Sequence, residues 1–274
     1  MTPTIAFIGA GNMGSSLIAG LIAHGHPAEK IWASDHHAEK LLTLKKTFSI
    51  HTTTDNQQAV AMCDIVIFAV KPTAFATVAT ELATSIQKKH PLVISIAAGI
   101  SIATIQSYLG EPCAIVRCMP NTPALMRQSA TGLCANTLVT PATKQLAETI
   151  LQAVGMTVWV ENEKLMDTIT ALSGSGPAYF FLIMEILQKV AEKAGLAPDM
   201  ARALITQTAL GAATMAKNSP MTLEALRKQV TSPGGTTEKA ISVLETQHIA
   251  DIFSKAFAAA QQRAEELARG EFTS

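Results

Sequence analysis

The sequence predicts an α/β chain: a doubly wound parallel sheet over residues 1–160, then an all-helical domain over 161–274. Three observations carry that reading. Short apolar runs alternate with helical stretches up to about residue 160. A glycine cluster, Gly9-Ala10-Gly11-Asn12-Met13-Gly14, falls between the first run and the first helix. Beyond Glu161 no β-branched run recurs, and long alanine-rich segments take over.

Residues 4–9 (TIAFIG) form the first strand, and 12–24 follow with helical character. Residues 30–35 (KIWASD) read as a second strand and 38–47 as a second helix. The run 64–70 (DIVIFAV) is almost wholly apolar, as a central parallel strand covered on both faces requires. Residues 92–96 and 114–118 supply two more such strands, with 132–135 and 157–160 as edge strands. The second domain takes helices over 163–173, 177–195, 199–218, 223–231, 236–246 and 249–269. Gly195 is placed to cap one of them, and Pro198 and Pro220 punctuate the series. The last few residues are expected to fray.

Composition narrows the functions open to such a chain. Lys plus Arg number 21 and Asp plus Glu number 21, so the net charge of zero argues against a nucleic-acid partner. Charged residues make up 15%, against roughly 25% in ordinary soluble domains, and mean hydropathy is +0.27. No apolar run approaches the ~20 residues that cross a bilayer, so no membrane partner is expected. A subunit interface is the expected destination of the excess apolar surface. The segment 199–218, rich in Ala and Gly, suits close helix packing with a second subunit; a tight monomeric bundle is the alternative. Cys63, Cys113, Cys118 and Cys134 show no CxxC spacing, so neither metal nor disulfides are expected. With no leader-like opening segment, the expected location is cytoplasmic.

The glycine cluster is a GxGxxG after a strand and before a helix, which makes the first domain Rossmann-type. Gly9 suits the tight turn, Gly11 a close approach of pyrophosphate to backbone, and Gly14 close helix–strand packing. Asp35 stands 21 residues past Gly14, where a carboxylate reads the ribose of NAD or else caps the next helix. Ser34, His36 and His37 could instead donate to a 2′-phosphate, so these residues leave NAD and NADP both open. Ala69-Val70-Lys71-Pro72 and Met119-Pro120-Asn121 end buried strands on the side where open α/β sheets bind ligands. Lys71 there is either a cation facing the cofactor or a solvated loop lysine. Asn121 offers an amide to a ligand or makes a turn. The small-residue segments 172–179 and 230–237 each open a helix and would present N–H groups and hydroxyls to a carboxylate.

Taken together, GAGNMG (9–14), AVKP (69–72), CMPNTPA (118–124), SGSGPAY (173–179) and SPGGTT (232–237) resemble pyrroline-5-carboxylate reductase, the last enzyme of proline biosynthesis. The stretch 225–245 (ALRKQVTSPGGTTEKAISVLE) is similar to that family's signature, and the likeness runs along nearly the whole chain. The resemblance implies an NADP-dependent enzyme, with NAD as the other option, and a helical domain that forms an intertwined homodimer or rings of dimers. It implies hydride delivery to C5 of a cyclic imine, giving L-proline. It assigns Gly9, Gly11, Asn12, Met13 and Gly14 to pyrophosphate and Asn56 to the adenosine end. Ala69, Lys71 and Pro72 would line the dinucleotide, with Met119, Pro120 and Asn121 near the nicotinamide. Ser232, Gly235, Thr236 and Thr237 would hold the substrate, with Thr237 bonded to the ring nitrogen. The chain departs from some members at Pro220, where they carry a glutamate, and Glu224 is no obvious replacement.

Two other readings stand beside it. A β-hydroxyacid dehydrogenase would place a lysine just inside the helix after SGSGPAY, but Tyr179, Phe180 and Phe181 come first and Lys189 is the first lysine. A non-catalytic dinucleotide sensor would have little use for the intact SPGGTT loop. The seven histidines read as surface residues.

Overall fold

The computed structural model describes residues 2–270. The last few residues, expected to fray, lie outside the described residues. Contacts divide the chain into two compact units: residues 1–175 with 259–274, and residues 176–258. The expected boundary at 160 lies just past the last strand, whereas this division falls 15 residues later and returns the chain's end to the first unit.

The first unit is built on an eight-stranded sheet in the order β3-β2-β1-β4-β5-β6-β7-β8. Strands β1 (Ile5–Ile8), β2 (Ile31–Ser34), β3 (His51–Thr53), β4 (Ile65–Phe68), β5 (Leu92–Ser95) and β6 (Ile115–Met119) pair in parallel. β7 (Ser129–Ala135) runs antiparallel to β6, and β8 (Gly155–Trp159) is parallel to β7. The sheet is thus parallel over its first six strands, as expected, and the edge pair β7 and β8 runs the other way. The link from β6 to β7 holds only a short 3-10 turn (Thr122–Met126), too little chain for the crossover a parallel neighbour needs.

The reason β1 and β4 read as unbroken apolar runs is visible in the packing. Ile5 and Phe7 of β1 enter one core with Ile65 and Ile67 of β4. Their alternates Ala6 and Ile8 enter the opposite core with Val66 and Phe68. One face is covered by α1 (Asn12–Ala23), α2 (Ala38–Phe48) and α6 (Pro141–Gln152). The other is covered by α3 (Asn56–Ala61), α4 (Pro72–Lys89) and α5 (Ile102–Leu109). With the strand period at two, only residues apolar on both sides survive in such a layer.

A buried ion network ties the far side of this unit together. Arg117, on β6 and 5% exposed, donates to Glu163 at 2.9 Å and to Asp167 at 3.3 Å. The same Glu163 oxygen accepts the Ile102 N–H at 2.8 Å, at the start of α5. Asp167 belongs to α7 (Leu165–Ile169), which runs into a π-helical turn, Thr170–Gly174. Near the chain's end, Leu267 of α12 (Ile249–Ala268) packs against Gly99.

The second unit holds α8 (Gly176–Lys193), α9 (Pro198–Asn218), α10 (Leu223–Gln229), α11 (Thr236–Thr246) and the first half of α12. α8 packs on α9. Phe180 and Phe181 remain 66% and 62% exposed, and Leu204, Leu210 and Met215 of α9 are also exposed. The reading of the sequence found no apolar segment of membrane length. The structure corrects this: the continuous helix Leu165–Lys193 is long and apolar enough by that measure, with mean hydropathy 1.3 and little of it buried. SGSGP hid it, because glycine and proline read as a break while the chain continues helical through a π turn.

Candidate dinucleotide site and substrate loop

The turn from β1 into α1 is made by a glycine that no other residue replaces easily. Gly9 has φ +102°, and a Cβ there would stand 2.7 Å from the Ala69 carbonyl oxygen. A Cβ on Gly14 would meet the Gly9 carbonyl at 2.6 Å, so AVKP, the glycine turn and α1 close on one another. Gly11 differs: it is the N-cap of α1, and no atom lies within 4 Å of where its Cβ would stand. Asn12 and Met13 complete the first turn of the helix. Open space over unsatisfied helix N–H groups is the form a pyrophosphate cradle takes, so these residues fit a dinucleotide.

A cavity of about 370 Å3 opens there. Of the expected residues it brings together Gly9, Gly11, Ser34, Asp35, Asn56, Ala69 and Lys71. Pro72 is the first residue of α4, beside it in the chain. Lys71 is exposed and caps α4, with no side-chain bond made to the helix. Sequence reasoning missed Lys40, Thr54 and Thr73, which also line the cavity; nothing in their spacing marks them. The histidines are not uniformly superficial. His36 and His37 line this cavity. Elsewhere His26 has its Nε2 buried without a partner, and burial holds its pKa below the ordinary histidine value.

Two expected ligand contacts turn out to be engaged within the protein. Ser34 is fully buried and donates its hydroxyl to Asn56 Oδ1 at 2.6 Å. Asp35 accepts the Ala10 N–H at 2.9 Å through Oδ2, and the His37 N–H at 2.9 Å through Oδ1. Its Oδ1 also lies 2.9 Å from His37 Nδ1. Burial works to raise the Asp35 pKa; the His37 and Ala10 hydrogen bonds, with Lys40 nearby, outweigh it and hold the carboxyl below the ordinary range.

Met119, Pro120 and Asn121 lie at the end of β6, outside that lining. A Cβ on Gly174 would strike Met119 Cε at 2.6 Å, so the methionine packs on SGSGPAY. Pro120 is buried. Asn121 is buried too: it donates to the Ser173 carbonyl at 2.9 Å and accepts from Ser129 Oγ and the Ala130 N–H, both at 3.1 Å.

In the second unit the SPGGTT loop opens α11. Gly235 N–H donates to the Ser232 carbonyl at 3.0 Å, and Gly235 is the N-cap. Gly234 N–H is taken by Glu238 at 2.8 Å. Thr236 and Thr237 stand exposed in the first turn, a place where N–H groups and hydroxyls remain open to an anion.

Two family models match the chain. A model described as pyrroline-5-carboxylate reductase dimerisation matches residues 163–267, and one described as NADP oxidoreductase, coenzyme F420-dependent, matches 4–99. The chain is 48% identical over 267 residues to a pyrroline-5-carboxylate reductase of Pseudomonas aeruginosa, covering 97% of each chain.

The chain belongs to the pyrroline-5-carboxylate reductase family.

Within that family it is also 43% identical to the reductase of Vibrio alginolyticus, over 96% of this chain and 97% of that one. Among solved structures, the Coxiella burnetii pyrroline-5-carboxylate reductase superposes with a TM-score of 0.94 at 46% identity, covering 98% and 99% of the two chains. The Plasmodium falciparum pyrroline carboxylate reductase, solved with NADP bound, gives 0.86 at 29% identity over 97% and 98%.

Proposed function

We propose that the chain reduces 1-pyrroline-5-carboxylate to L-proline with NADPH, the closing step of proline biosynthesis. The observation that carries this reading is the chain-long likeness to reductases of that name, up to 48% identical, joined to an open cradle at Gly11. When bound, NADPH supplies the hydride that passes to C5 of the imine, and the ring nitrogen ends as the amine of proline.

The protein's share is to bind and orient. Gly11, Asn12 and Met13 offer the N-terminus of α1 to pyrophosphate, while Gly9 and Gly14 keep β1, AVKP and α1 in register. Lys71 and Pro72 border the dinucleotide, with Asn56 toward its adenosine. Met119, Pro120 and Asn121 act by shaping the segment that follows β6. Ser232, Gly235 and Thr236 hold the substrate carboxylate through N–H and hydroxyl donors, with no formal cation. Thr237 orients the ring nitrogen through its hydroxyl. A protonated imine is already electrophilic, so no strong general acid is required, and no acid at Pro220 is missed.

The exposed apolar faces of α8 and α9 are the homodimer interface, and rings of dimers follow from further contacts between them. The enzyme works in the cytoplasm. Purified protein supplied with 1-pyrroline-5-carboxylate should oxidise NADPH and release proline in equal amounts. Silence with this imine, or turnover of a β-hydroxyacid instead, overturns the proposal.

A further inference from the structure

We infer that Asp35, His36 and His37 form a site for a divalent transition-metal ion of the zinc class, and, resting on the reading of the 370 Å3 cavity as the dinucleotide site, that an ion held there keeps the dinucleotide out. Three consecutive residues just past β2 supply the donors. One carboxylate oxygen and one nitrogen from each of two imidazoles lie within 4.8 Å of one another. Donors bound at about 2.0–2.1 Å stand about 2.9 Å apart at right angles around an ion, and about 3.3 Å apart in a tetrahedron. Asp35 Oδ1 lies 2.9 Å from His37 Nδ1 and 3.6 Å from His36 Nδ1, a span that covers both. The His36 side chain is 85% exposed, so its ring is free to turn inward.

Asp35 is the fixed anchor. Its Oδ2 accepts the Ala10 N–H at 2.9 Å, while Oδ1 is the oxygen beside the two rings. Oδ1 already accepts the His37 N–H, and a carboxylate oxygen has a further lone pair for an ion. A neutral ring ligates through the lone pair of Nδ1 and carries its proton on Nε2, so the ion takes up the present contact between His37 and Asp35. Lys40 and Lys71 line the same cavity and oppose any cation, so charge alone does not hold one there. Magnesium and calcium seek oxygen and bind largely through charge; zinc and copper gain from the two imidazoles. A six-coordinate ion with these ligands keeps about three positions for water. At about 30 Å3 each, those waters fill on the order of a quarter of the 370 Å3. Asp35, His36 and His37 belong to the cavity's own lining, so ion and waters stand in space that a dinucleotide needs.

The test is equilibrium dialysis of Zn2+ against the purified, untagged protein, with Co2+ absorption as a spectroscopic signature and circular dichroism to confirm folding. Co2+ should show d–d bands that added Zn2+ removes. His36→Ala and His37→Ala should each lower Zn2+ affinity by at least about tenfold, the lower end of what losing even an outer partner of a ligand costs. His24→Ala, at the far end of α1, should leave it unchanged. In fluorescence titration, saturating Zn2+ should weaken NADPH binding to the parent by about tenfold or more, and a chelator should restore it. With His36→Ala and His37→Ala combined, NADPH affinity should be the same with and without the ion, each protein serving as its own reference. Equal uptake of Zn2+ by the parent and the double variant overturns the site. Zn2+ bound with NADPH affinity unchanged overturns the exclusion. If the parent binds Zn2+ but no dinucleotide even without it, the reading of the cavity fails and the metal site stands.

Discussion

Asn121, at the end of β6, donates its side-chain N–H to the carbonyl of Ser173, 52 residues later and inside a π-helical turn. Pro177, four residues on, has no N–H to offer that carbonyl, and this amide takes it instead. Ser129 Oγ and the Ala130 N–H close the other side of Asn121. Asn121→Ala therefore leaves the Ser173 carbonyl and the Ala130 N–H, both part-buried, without these partners. A fully buried orphan costs about 1–3 kcal/mol and a part-buried one less, so the variant should unfold a few degrees earlier in a thermal scan. Asn121→Asp, which keeps the acceptor but not the donor, should recover part of that loss. Equal melting of parent and alanine variant would mean the amide does no structural work.

Arg117 should be harder still to replace. Its removal leaves Glu163 and Asp167 charged, partly buried and unpaired, and breaking such a pair from one side costs about 3–5 kcal/mol. Arg117→Met is expected to lose that much in urea unfolding, and Arg117→Lys, which cannot reach both acids in a fork, somewhat less. A stability unchanged within error would refute the role of the network.

The acid partner of this network predicts a pH dependence. Burial raises the Asp167 pKa above the ordinary 3.8; the charge and hydrogen bond of Arg117 oppose this without reversing it, and Glu265 and Glu163 add to it. The folded state thus holds this proton more tightly than the unfolded chain does. Stability from the group is fully present below about 3.8 and is lost as pH rises through the higher folded value. Asp167→Asn removes the titration, so the melting temperature of the variant relative to the parent should climb as pH increases across that window. A difference independent of pH would contradict the assignment.

Gly11 separates folding from binding. No atom of the chain stands near its missing Cβ, so Gly11→Val should fold and melt like the parent. The branched side chain would fill the space proposed for pyrophosphate at the N-terminus of α1. Fluorescence titration should show NADPH binding abolished; retained affinity in a folded variant would move the cofactor elsewhere.

The role proposed for Thr237 involves the substrate and not the cofactor. Thr237→Ala should lower kcat/KM for the imine by about one to two orders of magnitude, the value of a hydrogen bond to a charged group. The KM for NADPH should hold, and Thr237→Ser should recover most of the loss. Alanine and serine variants of equal activity would leave Thr237 a helix-terminal residue only.

Phe181 lies on the exposed apolar face of α8. Placing a charge there, as in Phe181→Asp, should yield monomers in sedimentation, since an unpaired carboxylate cannot be buried against a second copy. An unshifted dimer would put the interface on another face.

Much of the first domain was legible because its signals are local. Apolar runs at 64–70 and 92–96 mark strands covered on both faces, and GAGNMG marks the turn that follows β1. The shorter elements β3 and α3 escaped notice: three and six residues are too few for a period to emerge. The direction of β7 escaped too, because a strand's own residues carry no record of which way its neighbour runs.

The layered α/β architecture, the helical second half, the glycine cradle and the family to which the chain belongs are all legible in the linear order of residues. Each follows from periodicity or from a motif only a few residues long. That Asp35 serves Ala10, that Ser34 serves Asn56, and that Arg117 meets Glu163 and Asp167, 46 and 50 residues later, is visible in the folded chain and nowhere else. These partners depend on where the chain returns after a strand and a helix. A carboxylate 21 residues past a glycine reads the same whether it faces a ribose or an N–H of its own backbone. Burial and hydrogen-bond geometry distinguish the two, and they exist only once the sheet has brought β1 and β2 side by side.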